Sequence, residues 1–245
     1  KAKFIKGDIK NFKNLSKAIK DNKIHSVIHL AAHLNINEGE NNKKKYFKNN
    51  VGGTLNLIKT FKNNNIENII FSSSCSIYGN SKGSISEKKI PNPRSYYAYT
   101  KLKSENIIRK HAKKFNYRYG ILRYFNVAGA SKSGKIGEIN KSHDHLIKNI
   151  AIQSQKSKSK INIYGNNYNT KDGTCIRDYI HISDLAEIHL KTLKNISKKK
   201  KSLVLNCGYG KGYSVKEIVN TFKKLKKNVD VNYQQKRRGD VAQIY

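Results

Sequence analysis

The sequence predicts an α/β protein built on a doubly wound parallel sheet. Apolar runs alternate with amphipathic stretches along the first half of the chain, which is the pattern of strand–helix–strand units. Residues 27–32 are apolar almost throughout, as expected of a strand buried on both faces of a parallel sheet. Small or polar residues end such runs at Asp8, Ala31, Ala32 and Ser74. Ligands bind at that end of the strands in this class of sheet, so these positions are candidates for a site.

The elements of the first half follow from hydrophobic spacing. Short apolar runs indicate strands, and apolar residues that recur every three or four positions indicate helices. The predicted elements are a strand at residues 3–7, a helix carrying Phe12, Leu15, Ala18 and Ile19, a helix from about residue 44 to 63, a strand at 68–74, a helix after Ser95 and a strand at 117–125. Ser95 suits the N-cap position of its helix, because its hydroxyl can accept a hydrogen bond from the first turn.

The pattern changes after residue 127, which predicts a second, smaller C-terminal domain. A loop rich in Gly, Ser and Lys spans residues 129–142 and leads to a helix. A short strand is predicted at residues 160–165, and an apolar helical stripe runs from Val215 to Leu225. The predicted domains are residues 1–127 and residues 128–245, the second partly interleaved with the first.

The charge of the chain leaves one distant alternative open. Fifty Lys and Arg residues against 16 Asp and Glu give a net charge of +34, which would suit a nucleic-acid-binding protein. The lysines are spread over nearly every segment, with dense runs only at residues 43–45 and 198–201, and no nucleic-acid-binding motif accompanies them. A basic surface that attracts a small anionic substrate is therefore the preferred interpretation.

Cysteine usage and hydropathy predict the setting of the protein. Cys75, Cys175 and Cys207 are odd in number and widely spaced, which indicates a reducing, cytoplasmic compartment without a disulfide framework. The sequence contains no run of about 18 apolar residues. It also shows no signal peptide and no Cys/His cluster with metal-ligand spacing. We therefore expect neither a membrane span nor a metal site.

A Ser, a Tyr and a Lys form the candidate catalytic group. Ser74 ends the strand predicted at residues 68–74, and Tyr97 and Lys101 are four residues apart on the helix that follows Ser95. Residues at i and i+4 share a helix face, so both side chains point the same way and Ser74 can meet them. A tyrosine base at neutral pH needs its pKa lowered from about 10 to nearer 7, and a neighbouring ammonium together with a second cation can supply that shift. Ser74 would relay the proton.

A glycine-rich turn at residues 208–212 resembles a dinucleotide-binding loop but is interpreted as structural. Its third glycine comes one residue too early for the Gly-x-Gly-x-x-Gly pattern. Ser214 and Glu217 form a capping box that by itself explains the start of the next helix. We expect the true glycine loop upstream of Lys1, so that the chain begins after its first βα unit.

Five stretches occur in an order that is typical of one family. They are residues 71–79 (Phe-Ser-Ser-Ser-Cys-Ser-Ile-Tyr-Gly), the Tyr97–Lys101 pair, residues 122–130 (Leu-Arg-Tyr-Phe-Asn-Val-Ala-Gly-Ala), residues 172–181 (Asp-Gly-Thr-Cys-Ile-Arg-Asp-Tyr-Ile-His) and residues 237–240 (Arg-Arg-Gly-Asp). Together they resemble the UDP-glucose 4-epimerase family of the extended short-chain dehydrogenase/reductase superfamily. The similarity covers essentially the whole chain.

The resemblance implies a Rossmann-like, NAD-binding domain at residues 1–127 and a mainly UDP-sugar-binding domain at residues 128–245. The implied catalytic residues are Ser74, Tyr97 and Lys101. The implied NAD-binding residues are Asp8, Ile9, Leu30, Ala31, Ala32, Asn49, Ser74, Tyr97, Lys101 and Phe125. The implied substrate-binding residues are Asn126, His145, Leu146, Tyr164, Arg177, Arg237 and Asp240, with Tyr164 at the uracil, the two arginines at the pyrophosphate and Asp240 at the ribose. Planar guanidinium groups suit bidentate phosphate binding.

The activity implied by the resemblance is the interconversion of UDP-glucose and UDP-galactose at C4 by a homodimer with tightly bound NAD. The alternative is another nucleotide-sugar epimerase or a 4,6-dehydratase of the same superfamily. Dehydratases carry Asp-Glu directly after the catalytic Thr, where this chain has Cys75 and Ser76. Leu34 stands where some epimerases have a Lys that contacts the cofactor. Ile244 holds a position that lines the sugar in the family, and its intermediate size predicts weak acceptance of N-acetylated sugars.

Overall fold

The computed structural model describes residues 2–81, 83–139, 145–225, 229–237 and 239–245. Its helices are α1 (Phe12–Asp21), α2 (Ile36–Asn41), α3 (Lys43–Tyr46), α4 (Gly53–Phe61), α5 (Tyr96–Lys114), α6 (Leu146–Ser154), α7 (Ile182–Lys199) and α8 (Val215–Leu225). Its strands are β1 (Ser26–His29), β2 (Asn68–Ser74), β3 (Arg118–Tyr124), β4 (Asn126–Ala128), β5 (Ser159–Tyr164), β6 (Ile176–Arg177), β7 (Tyr179–His181), β8 (Leu203–Cys207), β9 (Tyr213–Ser214), β10 (Val229–Gln234) and β11 (Gln243–Ile244). A π-helical segment, Phe47–Gly52, joins α3 to α4, and a 3₁₀ turn, Cys75–Tyr78, follows β2.

A four-stranded sheet in the order β1-β2-β3-β8 organises the first half of the chain. β1 and β2 pair in parallel, with Ser26 opposite Asn68 and His29 opposite Phe71. β2 has the bounds that its apolar run predicts, and every residue of it except Ser74 is buried. The α/β class predicted from the alternating pattern is confirmed.

Two strand predictions at the edge of this sheet are corrected. Residues 27–32 give a shorter strand than predicted, with Ile28 41% and Leu30 58% exposed. β1 is an outer strand of the described sheet, so it is not covered on all sides. Residues 3–7 form no strand, and Phe4 is 88% exposed. A strand needs a neighbour for its backbone hydrogen bonds, and no described strand lies beside these residues.

The chain divides into two compact units. The first contains Lys1–Ile77, Pro93–Arg123 and Ile188–Leu205, and the second contains Tyr78–Asn92, Tyr124–Glu187 and Asn206–Tyr245. The core of the first unit packs α1, α4 and α5 on the sheet through buried side chains such as Ile58, Ile69, Ile108 and Ile121. The core of the second unit joins β5 to α8 through Ile161, Ile163, Val219 and Phe222. No helix in the described part of the chain has the length and apolar character needed to cross a membrane.

Two local predictions are confirmed by hydrogen bonds. The Ser95 hydroxyl accepts from the Ala98 backbone N–H at 3.2 Å and caps α5. The capping box before α8 closes in both directions, with Glu217 N donating to Ser214 Oγ at 3.0 Å and Ser214 N donating to Glu217 Oε2 at 2.6 Å. Of the loop predicted at residues 129–142, the last three residues lie outside the described part.

The glycine turn at residues 208–212 is structural, as the sequence predicts. The backbone N–H of Gly210, which has a φ of 70°, donates to Asp178 Oδ2 at 2.7 Å. A Cβ at Gly208 would overlap the same carboxylate. The two glycines therefore let the turn close on a buried Asp178, and they need no nucleotide to explain them.

Candidate functional site

The predicted trio lies where β2 ends and α5 begins, in the first unit. Tyr97 and Lys101 share one face of α5, and Lys101 Nζ lies 5.9 Å from the centre of the Tyr97 ring. Lys101 is 2% exposed, and its ammonium donates to the Ser72 carbonyl at 2.6 Å. Ser74, two residues further along β2, lies close enough to Tyr97 for its hydroxyl to act on the phenol. The structure thus brings all three side chains together.

The Ser74 hydroxyl is oriented by the turn that follows it. Its oxygen accepts hydrogen bonds from the backbone N–H of Ser76 at 3.2 Å and from the Ser76 hydroxyl at 2.9 Å. With two donors on its oxygen, Ser74 keeps its own proton for Tyr97. Ser76, which stands where dehydratases carry Glu, therefore helps to orient the Ser74 hydroxyl.

Burial shifts the pKa values of Tyr97 and Lys101. Burial raises the pKa of the Tyr97 phenol, and the Ser74 hydroxyl offsets only part of that rise. Burial also lowers the pKa of Lys101 to about 7, although the negative charge of Glu105 acts in the opposite direction. The protein part alone therefore keeps Tyr97 protonated at neutral pH. The lowered tyrosine pKa expected from the sequence requires the second cation as well as Lys101.

A buried ion pair beneath the trio is missed by the sequence analysis. Glu105 is fully buried and receives Arg123 Nε at 3.0 Å and Arg123 Nη2 at 2.7 Å. Its Oε1 also accepts from the Ser73 hydroxyl at 2.5 Å. The signal that could have found Glu105 is helical spacing, since it follows Lys101 by four residues and Tyr97 by eight.

A second missed residue, Asn50, connects three segments around the trio. Its Oδ1 accepts from the His33 backbone N–H at 2.8 Å, and its Nδ2 donates to the His33 carbonyl at 3.1 Å. The same Nδ2 donates to the Thr100 hydroxyl of α5 at 3.1 Å. Asn50 lies in the π-helical segment Phe47–Gly52, a kind of element that is frequent at functional sites. It ties the loop after β1 to the helix that carries Tyr97 and Lys101.

Asp8 and Ile9 lie just before α1. The Asp8 carboxylate accepts from the Lys10 backbone N–H at 2.8 Å, and this hydrogen bond holds the pKa of Asp8 below its usual value. Asp8 is also close enough to His33, in the loop after β1, for their charges to interact. The Ile9 side chain packs where a Cβ on Gly53 would stand, so the glycine admits it against α4.

The loop after β1 contains the other cofactor candidates of the first unit. Leu30 and Ala31 are exposed and Ala32 is partly exposed. Asn49 donates its Nδ2 to Asn50 Oδ1 at 3.0 Å, next to the same loop. These features fit a dinucleotide. An ionised Asp8 can accept hydrogen bonds from the ribose hydroxyls, and the exposed apolar stretch with its pair of small side chains lets the cofactor approach the backbone closely. No group of metal-ligating side chains suited to hold an ion occurs in the described residues.

In the second unit, Arg177 is held by backbone carbonyls. Its Nη1 donates to the Ile176 carbonyl at 2.9 Å and its Nη2 to the Val241 carbonyl at 2.7 Å. The first acceptor lies in β6 and the second in the segment just before β11. β6 and β11 pair in parallel. They hold the guanidinium in place and leave its positive charge without a carboxylate partner among these contacts.

Arg237, Asp240 and Tyr164 form a cluster in the same unit. Arg237 Nε donates to Asp240 Oδ2 at 2.9 Å, and its guanidinium carbon lies 4.8 Å from the centre of the Tyr164 ring. The aromatic face with a cation over it provides a surface on which a base can stack. The carboxylate beside it can accept hydrogen bonds from hydroxyl groups. The three residues predicted for uracil, phosphate and ribose are therefore neighbours.

The remaining predicted residues fall in two places. Phe125 is buried, and its backbone N–H donates to the Cys207 carbonyl at 3.1 Å. Asn126 is exposed at the start of β4, with its backbone N–H bound to the Asp178 carbonyl at 3.0 Å. The ring of His145 lies 3.1 Å from Glu138 just before α6, and Leu146 packs on the core of β5 and α8.

Comparison with known proteins supports one family. The model of the NAD dependent epimerase/dehydratase family matches residues 1–208. The UDP-glucose 4-epimerase of Lactobacillus helveticus is 40% identical over 243 residues, which is 98% of this chain and 73% of the relative. The UDP-glucose 4-epimerase of Haemophilus influenzae is 37% identical over 250 residues, 100% of this chain and 74% of the relative.

Solved structures agree with these sequence matches. The UDP-glucose 4-epimerase of Brucella ovis in complex with NAD superposes with a TM-score of 0.90 at 36% identity, covering 100% of this chain and 76% of that one. The enzyme of Bifidobacterium longum in complex with NAD+ and UDP gives a TM-score of 0.88 at 32% identity, covering 98% and 73%. The chain therefore belongs to the NAD dependent epimerase/dehydratase family and, within it, to the UDP-glucose 4-epimerases.

Proposed function

We propose that the protein interconverts UDP-glucose and UDP-galactose by inverting C4 of the hexose, with tightly bound NAD. The observation that carries the proposal is the proximity of Ser74 and Tyr97 to a buried Lys101 in a chain of this family. A tyrosine next to a lysine ammonium can act as the acid and base for a sugar hydroxyl, and a neighbouring serine can pass the proton between them.

The chemistry divides between cofactor and protein. Bound NAD would supply the acceptor and donor of hydride for the sugar carbon. Tyr97 removes the proton of the 4-hydroxyl through Ser74 and returns it after the 4-keto sugar has presented its other face. Lys101 stabilises the tyrosinate by its positive charge, and Ser76 keeps the Ser74 proton directed to Tyr97.

The proposed cofactor-binding residues come from several segments of the chain. The proposed NAD-binding residues are Asp8, Ile9, Leu30, Ala31, Ala32, Asn49, Ser74, Tyr97, Lys101 and Phe125. The support is the ionised Asp8 carboxylate and the exposed apolar residues after β1. We also propose that residues 1–127 are mainly NAD-binding and residues 128–245 mainly UDP-sugar-binding, in keeping with the trio in the first unit and the arginines in the second.

The UDP-sugar would be bound by Asn126, His145, Leu146, Tyr164, Arg177, Arg237 and Asp240. Support comes from the Tyr164–Arg237–Asp240 cluster and from an Arg177 whose guanidinium donates to backbone carbonyls. Two guanidinium groups match the two phosphates of UDP in charge and hydrogen-bonding geometry. The high net positive charge of the chain also favours capture of a dianionic substrate.

The proposal is tested with the full-length protein and UDP-galactose. Proton NMR of the sugar should show UDP-glucose forming to an equilibrium mixture, and denaturation should release NAD in proportion to protein. A 4-keto-6-deoxy product would identify a dehydratase instead. No turnover by a folded, NAD-loaded protein would reject the epimerase function.

We propose further that the protein is a homodimer. The support is membership of the family, which the comparisons establish. Light scattering coupled to size-exclusion chromatography should give twice the mass of the chain over a range of concentrations. A monomer mass with full epimerase activity would reject this assembly.

A further inference from the structure

Glu105 makes contacts that go beyond a single ion pair. Its side chain is 1% exposed and that of Arg123 is 3% exposed, so both charges are removed from water. Arg123 binds both carboxylate oxygens, and Arg109 adds a contact from the surface side at 3.3 Å. The Ser73 hydroxyl completes the set at 2.5 Å. Four hydrogen bonds from three residues fix the carboxylate in one orientation.

Ser73, one of the partners of Glu105, is adjacent to the catalytic group. Ser73 lies between Ser72, whose carbonyl receives the Lys101 ammonium, and Ser74, the proposed proton relay. Glu105 itself follows Lys101 by one helical turn. A single carboxylate therefore fixes the end of β2 to α5 at the point where both contribute to the trio.

Glu105 also affects the charge of Lys101, as the groups that surround the Lys101 ammonium show. From β1, His29 is buried, and burial together with the Lys101 charge lowers the pKa of His29 to about 3, so it is neutral. From α5 itself come Tyr97, which burial keeps protonated, and Glu105, whose negative charge favours the ammonium. From the turn after β2, Cys75 faces Tyr97. Glu105 is thus the acidic group acting on the buried ammonium.

A purely stabilising role does not account for this arrangement. Replacing a buried ion pair with well-packed apolar residues is often neutral or stabilising, so such a pair is weak support for a contribution to stability. Here the pair instead holds a serine whose two chain neighbours both contact the catalytic residues.

We propose that Glu105 is a positioning residue of the epimerase: it fixes Ser73 so that the Lys101 anchor and the Ser74 relay stay aligned, and its negative charge balances the Lys101 ammonium beside Tyr97. The inference rests on the proposed function, since it assigns Glu105 to the same proton transfer. Removal of the charge should leave Lys101 neutral at neutral pH and deprive the tyrosinate of its neighbouring cation.

The first experiment uses Glu105→Gln in the full-length protein. The acidic limb of the kcat profile should move to higher pH by about one unit, because Tyr97 loses the charge that favours its ionised form. KM for UDP-galactose should stay within about twofold, since Glu105 does not contact substrate. The titration of Tyr97, measured as tyrosinate absorbance relative to the matching Tyr97→Phe protein, should move in the same direction without any substrate.

The second variant, Ser73→Ala, removes the positioning of Ser73 by Glu105 but keeps the Glu105 charge. It also provides a test if the Glu105→Gln protein does not fold. Glu105→Gln leaves Arg123 buried without its counter-charge, so it can lose stability. Ser73→Ala keeps the ion pair and removes only the link to β2. We expect kcat to fall about tenfold with KM unchanged and the acidic limb in place. The control is Ser159→Ala, another buried serine, whose hydroxyl binds the Gln153 carbonyl at 2.8 Å in the second unit; it should leave kcat unchanged.

The results decide the inference in each case. A folded Glu105→Gln protein with unchanged acidic limb and unchanged Tyr97 titration overturns it. If that variant does not fold, a kcat of Ser73→Ala equal to that of Ser159→Ala overturns it instead. Failure of the wild-type protein to epimerise UDP-galactose would reject the proposed function alone, because the Tyr97 titration needs no substrate and still reports on Glu105.

Discussion

The proposed catalytic group of the first unit and the proposed substrate-binding cluster of the second unit are built in opposite ways. Lys101 and Glu105 are buried together with Ser72, Ser73 and Arg123. Short hydrogen bonds join Lys101 to Ser72 and Glu105 to Ser73. Arg237 and His145 have side chains 35% and 51% exposed, and each forms an ion pair with a carboxylate. The first group is assembled within the protein core, whereas the second remains accessible to solvent and to ligand.

The difference follows from what each group has to do. A proton-transfer site needs shifted pKa values, and burial is the strongest way to shift them. A binding site for a charged nucleotide needs cations that can exchange a weak partner for a phosphate, and exposed ion pairs contribute only about 0–1 kcal/mol each. Changes in the first unit should therefore act on kcat and pH dependence, and changes in the second should act on affinity.

The largest effect should come from Tyr97→Phe. The variant should lose about 10²–10⁴-fold in kcat, because the acid–base group is removed while its surroundings stay packed. NAD content, measured after denaturation, should not change. Activity above about a tenth of the wild-type value would show that Tyr97 is not the proton-transfer group.

Arg177→Ala tests the binding side of the comparison. The dissociation constant for UDP, measured by calorimetry, should rise about 10–150-fold, which corresponds to the loss of one charge-assisted contact of roughly 1.5–3 kcal/mol. The matched control is Arg118→Ala in the first unit, a cation 4.0 Å from Glu67. A dissociation constant equal to that of the control would exclude Arg177 from the phosphate site.

Lys101→Met measures the effect of burial on the lysine. The folded pKa of about 7 lies below the unfolded value of 10.5, so between these values the unfolded chain binds the extra proton and wild-type stability rises with pH. Met at this position does not titrate. The ratio of the wild-type unfolding equilibrium constant to that of the Met variant should therefore fall by up to about tenfold per pH unit from pH 7 upward. Urea unfolding of both proteins at a series of pH values checks this. A constant difference would contradict it.

The smallest effect should come from Ile244→Ala, which addresses substrate width. Ile244 is 4% exposed and pairs with Arg177 in the β6–β11 ladder, so its side chain has little room to move. The wild-type protein should prefer UDP-glucose over UDP-N-acetylglucosamine by about 10–200-fold in kcat/KM. The substitution should narrow that preference by about tenfold or less. Equal kcat/KM values for both sugars in the wild type would show that Ile244 does not limit the pocket.

Local features were predictable because neighbouring residues decide them. The bounds of β2, the Ser95 cap and the capping box at Ser214 all depend on residues a few positions apart. The Tyr97–Lys101 pair was predictable for the same reason, since helical spacing alone puts both side chains on one face.

Tertiary structure decided the features that join distant parts of the chain. Residues 3–7 have a strand-like sequence but no described neighbour to pair with, and strand formation depends on that neighbour. Glu105 reaches Ser73 and Arg123 across 32 and 18 residues, and Asn50 reaches Thr100 across 50. The raised pKa of Tyr97 and the lowered pKa of Lys101 likewise depend on how completely other segments exclude water. The sequence determined which side chains could do the chemistry; packing determined how strongly each is charged and what holds it in place.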